Sequence, residues 1–157
     1  SGLSPADNGR PLVVLRTFSK AYGLAGLRVG YGVMPAELAQ LLHRVRMPFN
    51  VSSPAQAGAL AALDDQEFLK QTVRQVHRGI DFLFRELAAR GIACFPTQAN
   101  FFLIDVGQSA DAVFESLLKK GVIVRSMSAY GYPTYIRVNA GADAENRRLL
   151  QALEQVL

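Results

Sequence analysis

Cysteine is nearly absent from this 157-residue sequence. Cys94 stands alone, which excludes an internal disulfide and any metal site built from several thiolates. It lies in an apolar run, residues 92–95, and reads as a small buried hydrophobe rather than a reactive thiol. Long apolar runs are missing as well: no stretch approaches the roughly 20 residues that span a bilayer, so no membrane crossing is expected. The first ten residues are polar and carry Pro5 and Gly9, which suits neither a signal peptide nor an anchor, and a soluble, cytoplasmic protein is the expectation. Histidine is limited to His43 and His77; neither has a second ligand at a metal-like spacing, so both read as structural or solvated. Clustered charge of one sign is also lacking. The 17 Lys and Arg against 13 Asp and Glu leave +4, but the basic residues are scattered and not interleaved with aromatics, so nucleic-acid binding is discounted.

What remains is ordinary material for a folded protein, with 50% hydrophobic residues and length enough for a real core. Residues 1–10 read as a loop. Apolar runs at 12–15 and 29–34 read as short buried strands. Pro35 then opens a helix whose Leu38, Leu41, Leu42 and Val45 share one face, and Pro48 stops it. Ser53, Pro54 and Gln56 form a capping-box start for an alanine-rich helix. A long helix is expected over 65–90 from the stripe Leu69, Val73, Val76, Ile80, Leu83 and Leu87, with Gly79 weakening or bending it and Gly91 ending it. Beyond it the pattern predicts strands at 92–95, 100–106, 122–125 and 135–138, a helix at 110–120, and a last helix at 143–157 with an acidic N-cap. That part reads as an α+β module.

The connection between the first two strands carries the chemistry. It holds Lys20, the hydroxyls of Thr17 and Ser19, the glycines Gly23, Gly26 and Gly30, and Arg28. Glycines permit close approach of backbone to a small ligand. A lysine in a partly desolvated pocket has its pKa lowered, and the neutral amine condenses with a carbonyl. Hydroxyls and a guanidinium hold a phosphate. A ligand with both groups, such as pyridoxal 5'-phosphate, would suit the set; an exposed lysine and arginine in a glycine-rich loop would also explain it. In the second half, Arg125 and Arg137 end and occupy neighbouring strands, so one edge could hold both guanidiniums with an anion between them, although on spacing alone two exposed strand arginines are the better fit.

The run Thr17-Phe18-Ser19-Lys20-Ala21-Tyr22-Gly23-Leu24-Ala25-Gly26-Leu27-Arg28-Val29-Gly30-Tyr31 resembles the lysine segment of pyridoxal-phosphate aminotransferases of the aspartate-aminotransferase fold. Within them it is most similar to the histidinol-phosphate aminotransferases. The resemblance implies that Lys20 carries the cofactor and moves the proton, and that Ser19 and Arg28, with Thr17 a weaker candidate, contact the cofactor phosphate. Segments 121–125 and 135–141 resemble the family's substrate-anion segments, which implies that Arg137 and Arg125 bind the substrate's anionic tail; Asn100 matches a further motif near the site. Asn139 and Ala140 depart from the β-branched pair more usual after that arginine.

The implied fold is α/β: the C-terminal end of the large-domain sheet (1–50), connecting helices (51–91) and the small α+β C-terminal domain (92–157). The implied reaction moves an amino group from histidinol phosphate to 2-oxoglutarate, in a homodimeric, cytoplasmic parent acting on a small amino donor and a 2-oxo acid. Related aminotransferases, a threonine-phosphate decarboxylase and a non-catalytic ligand-sensing domain would share these residues. Family members are roughly twice this length, and the N-terminal part with the aspartate that pairs the pyridinium nitrogen has no counterpart here. A fragment that is inactive alone and prone to self-association is therefore expected.

Overall fold

Two aliphatic runs separated by the glycine-rich connection pair with each other. In the computed structural model, which describes residues 6–7 and 10–157, β3 (Val14–Thr17) lies antiparallel to β4 (Gly30–Val33) in the register Val14↔Val33 to Thr17↔Gly30. The strand expected over 12–15 thus starts two residues later. It is also mostly exposed rather than buried, with Leu15 at 72%, in a ladder of two strands. Part of the loop expected over 1–10 lies outside the described residues; within it β1 (Ala6–Asp7) pairs with β2 (Arg10–Pro11).

The chain divides into two compact units, Ser1–Thr72 and Val73–Leu157. In the first, α1 (Ala36–Val45) follows Pro35, and its apolar face stays open, with Leu41, Leu42 and Val45 all exposed. Next comes α2 (Ser53–Asp64). Its cap is Ser52, one residue earlier than the capping-box pattern suggests: the Ser52 Oγ accepts from the Ala55 N–H at 3.4 Å, and Pro54 sits within the first turn. Helix α3 (Gln66–Ala89) begins here and continues into the second unit. Asp65 Oδ1 caps it by accepting from the Phe68 N–H at 3.0 Å.

The second unit holds the hydrophobic core. Strand β5 (Phe101–Asp105) and β6 (Arg125–Ser126) both run antiparallel to β7 (Tyr135–Asn139), in the order β5-β7-β6. One face of this sheet, through Phe102, Ile104, Ile136 and Val138, is buried with Leu83 and Leu87 of α3, Val113 and Leu117 of α4 (Ala110–Lys119), and Leu149 and Leu153 of α5 (Asp143–Glu154). Alternation with period two sends the next residues along each strand to the opposite face. The strand expected at 92–95 is reduced to a single bridge, Cys94↔Ile104, and the one at 122–125 keeps only its last residue in β6. Helix α5 has Ala142 at its N-cap position rather than an acidic residue. Glu145 Oε2 accepts from the Ala142 N–H at 2.7 Å and does the capping from inside the helix. Gly79 makes close contact rather than a bend, its Cα facing Asn146, Ala140 and Gly141. Among the described residues no helix is long and apolar enough to cross a membrane.

Candidate active site

Phe18 anchors the loop in the first unit. It is 3% exposed, its N–H donates to the Val29 carbonyl at 3.2 Å, and its carbonyl accepts from the Leu24 N–H at 3.0 Å. Its ring packs on Tyr22 and Tyr31, at centroid distances of 4.8 and 5.9 Å. With Phe18 turned inward, the residues after it turn outward: Ser19 is half-buried and Lys20 exposed. A turn closes behind Lys20 as its carbonyl accepts from the Gly23 N–H at 2.9 Å. Gly23 takes the left-handed φ of 71°, a conformation that favours glycine, while the Phe68 ring, 3.4 Å from where a Cβ would stand, makes only ordinary contact there. Gly26, by contrast, has open space around it and needs no such explanation.

Thr17 and Arg28 flank this turn. Thr17 Oγ1 accepts from the Ser19 N–H at 3.1 Å, which ties the two hydroxyl-bearing residues together. After the 3-10 turn Ala25–Leu27, Arg28 adopts φ 54° and ψ 46°, a left-handed conformation that costs a residue with a Cβ about 1–2 kcal/mol. Its Nη1 donates to the Ala25 carbonyl at 2.7 Å, leaving most of the exposed guanidinium fork free to take a ligand. Lys20 is exposed, so the desolvated surround expected for it is not supplied among the described residues of the first unit.

In the second unit Arg125 and Arg137 are direct cross-strand partners in the β6–β7 pair. Directly opposed residues of an antiparallel pair share a face, and like charges placed so destabilise the sheet. That face is the one away from the core, since Ile136 and Val138 on either side of Arg137 are buried. The Arg137 Cζ lies 4.9 Å from the centroid of the Phe101 ring, and its buried Nε has no hydrogen-bond partner among the described residues. Arg125 Nη1 donates to the Tyr130 hydroxyl at 3.4 Å. Asn100, half-buried, immediately precedes β5, and its carbonyl accepts from the Ala140 N–H at 3.0 Å.

Farther along the same face, Asp105 opposes Tyr135. The Gly107 N–H at 3.0 Å, then the Thr134 and Tyr135 hydroxyls, hold the Asp105 carboxyl below the usual carboxylate range, and the same bond raises the Tyr135 phenol. Cys94 is half-buried, and desolvation pushes its thiol up, which suits an unreactive residue.

The residues singled out in the sequence therefore fall into two groups, Thr17, Ser19, Lys20 and Arg28 in the first unit and Asn100, Arg125 and Arg137 in the second. Sequence reasoning missed Phe101 and the contact made by Tyr130. The first had a readable signal, because alternation along 101–105 with Phe102 inward sends Phe101 to the arginine face.

A family model described as aminotransferase class I and II matches residues 1–153. The chain belongs to that family. The histidinol-phosphate aminotransferase of Desulfotalea psychrophila is 56% identical over 146 residues, which cover 93% of this chain and 38% of that protein. Its counterpart in Methylobacillus flagellatus is 49% identical over 157 residues, covering 100% of this chain and 42% of the relative. The solved structure of histidinol-phosphate aminotransferase from Sinorhizobium meliloti in complex with pyridoxal-5'-phosphate matches with a TM-score of 0.86 at 33% identity, over 95% of this chain and 42% of that one. The chain thus spans 38% to 42% of the length of these curated relatives.

Proposed function

We propose that the protein to which this chain belongs is a pyridoxal-phosphate-dependent aminotransferase that converts histidinol phosphate and 2-oxoglutarate into imidazole-acetol phosphate and glutamate. The observation that carries the choice of a phosphate-tailed donor is the register opposing Arg125 to Arg137 on the open face of the sheet. The histidinol-phosphate aminotransferases at 49% to 56% identity support the same reading. In it, residues 1–50 are the end of the cofactor-binding large domain, 51–91 connecting helices and 92–157 the small α+β domain. A homodimer in the cytoplasm goes with it.

The donor set fits the cofactor. One turn of chain presents an amine, two hydroxyls and a guanidinium whose backbone is held in a conformation that arginine does not favour, which points to a use for that side chain. When bound, pyridoxal phosphate supplies a carbonyl for the amino group and a ring that takes up the electrons released at the substrate carbon. Arg28 and Ser19, with Thr17 beside them, would hold the cofactor phosphate through charge-assisted hydrogen bonds. Lys20 Nζ would hold the cofactor through its carbonyl and, when free, would serve as the base that takes the proton from the substrate carbon and the acid that returns it. Arg125 and Arg137 would fix the anionic tail of the donor. Asn100 borders this tail site.

The chain is incubated with pyridoxal phosphate, reduced with borohydride and mapped by peptide mass spectrometry. A stoichiometric adduct on Lys20 that Arg28→Ala abolishes is expected. Labelling scattered over several lysines with Lys20 unmodified would overturn the assignment of these residues as a cofactor site within this chain.

A further inference from the structure

We infer that Phe101 is a positioning residue for the tail site: its ring, in place of a hydrogen-bond acceptor, holds the Arg137 guanidinium beside the like-charged Arg125 before a ligand arrives. The inference rests on the proposed reading of the arginine pair as the anion site.

Two adjacent phenylalanines do opposite work in β5. Phe102 is 2% exposed and packs edge-on against Phe84 at 4.8 Å within the core. Phe101 faces the other way. It pairs with Asn139, two residues from Arg137, and diagonal neighbours on one face of a sheet lie within reach of aromatic and long side chains. The Cζ-to-centroid distance of 4.9 Å is inside the roughly 6 Å range of a cation–π contact. Among the described residues Arg137 forms no ion pair, and its Nε, shut away from water, has no acceptor.

The choice of an aromatic face matters for an anion site. A carboxylate would hold Arg137 as firmly, but it would neutralise the charge and compete with the incoming anion. An aromatic face holds the cation and leaves its charge and most of its donors available. Arg125 is treated the same way, since its contact at 3.4 Å is the neutral Tyr130 hydroxyl. Both guanidiniums are thus steadied by uncharged partners, so less side-chain freedom remains to be lost when the anion binds.

The test is a titration of the whole, nitrogen-15-labelled chain with inorganic phosphate, followed through the arginine Nε–Hε resonances in wild type, Phe101→Leu and Phe101→Tyr. In wild type, ring shielding is expected to displace the Arg137 resonance from that of Arg125, and phosphate to move both. Phe101→Leu is expected to remove the displacement and weaken phosphate binding about two- to tenfold, the size of one poorly immobilised side chain. Phe101→Tyr, which restores a ring, is expected to recover both. A leucine variant with wild-type phosphate affinity would overturn the inference. So would a wild-type Arg137 resonance lacking the ring displacement, a result that does not depend on whether the leucine variant folds. Ring displacement present but neither arginine responding to phosphate would overturn the anion site itself, and the positioning role with it.

Discussion

Arg28 occupies a backbone conformation that glycine would take without strain, and the consequences of replacing it can be worked out. Arg28→Ala keeps the Cβ in left-handed space, at about 1–2 kcal/mol, and loses the hydrogen bond to the Ala25 carbonyl, worth about 0.5–1 kcal/mol at an exposed site. Arg28→Gly loses the same bond but sheds the strain, against about 0.5–1 kcal/mol for the greater freedom of glycine in the unfolded chain. The glycine variant is therefore expected to exceed the alanine variant by about 0.5–1 kcal/mol and to match wild type. Urea unfolding at fixed pH reads this as a midpoint higher by a few tenths molar, with unchanged slope. Neither variant is expected to retain the borohydride-trapped adduct on Lys20, because both lack the guanidinium. A glycine variant less stable than the alanine variant would refute the strain argument. A stable glycine variant that still takes the cofactor on Lys20 would refute the role given to Arg28.

Gly79→Ala is expected to lower stability by about 1–2 kcal/mol although alanine is the better helix former by about 1 kcal/mol, because the new Cβ would stand 2.9 Å from Asn146 Nδ2. Asn146 has little room to yield: it is 2% exposed and its side chain both accepts from the Gly141 N–H at 2.9 Å and donates to the Gly141 carbonyl at 3.1 Å. A raised thermal midpoint would show that packing there is looser than described. Asp105 has a folded pKa below its unfolded value, so its contribution to stability is present above the unfolded value near 3.9 and is lost as pH falls through the folded one. Asp105→Asn should accordingly flatten the stability-against-pH curve below about pH 4, and an unchanged acid limb in urea titrations would contradict the hydrogen-bond assignment. Finally, the exposed Leu41, Leu42, Val45, Met47 and Phe49 should make the chain associate as its concentration rises, with Val45→Glu reducing the effect; light scattering that finds a monomer throughout would refute this.

Much of the fold was legible because helices announce themselves over many residues. The stripe from Leu69 to Leu87 places α3 within a residue or two at each end, and glycines 91 and 121 end their helices with left-handed φ of 72° and 74°. Short strands were less readable. β6 has two residues and β3 four, and where such a strand begins is set by its partner's register, which leaves no mark in its own composition. The Ser52 cap was displaced by one residue because two adjacent serines are chemically equivalent until the backbone chooses between them. The strain at Arg28 could not be read at all, since left-handed φ is normally signalled by glycine or asparagine.

The arginine pair marks where sequence reasoning reached its limit and what structure added. Twelve residues between Arg125 and Arg137 allowed neighbouring strands, but an edge pair and a directly opposed pair follow from the same spacing. Only the register distinguishes them, and it opposes the two residues on one face. Stability does not favour that placement: like charges in register weaken a sheet, and among the described residues no carboxylate is paired with either. The sheet keeps two such cations in register on the face away from the core, steadied by a phenyl ring and a phenol hydroxyl instead of by acids. Under the proposed function an anionic ligand would relieve the repulsion and gain two forks of donors at once, so the arrangement that costs the free chain stability would contribute affinity for that ligand.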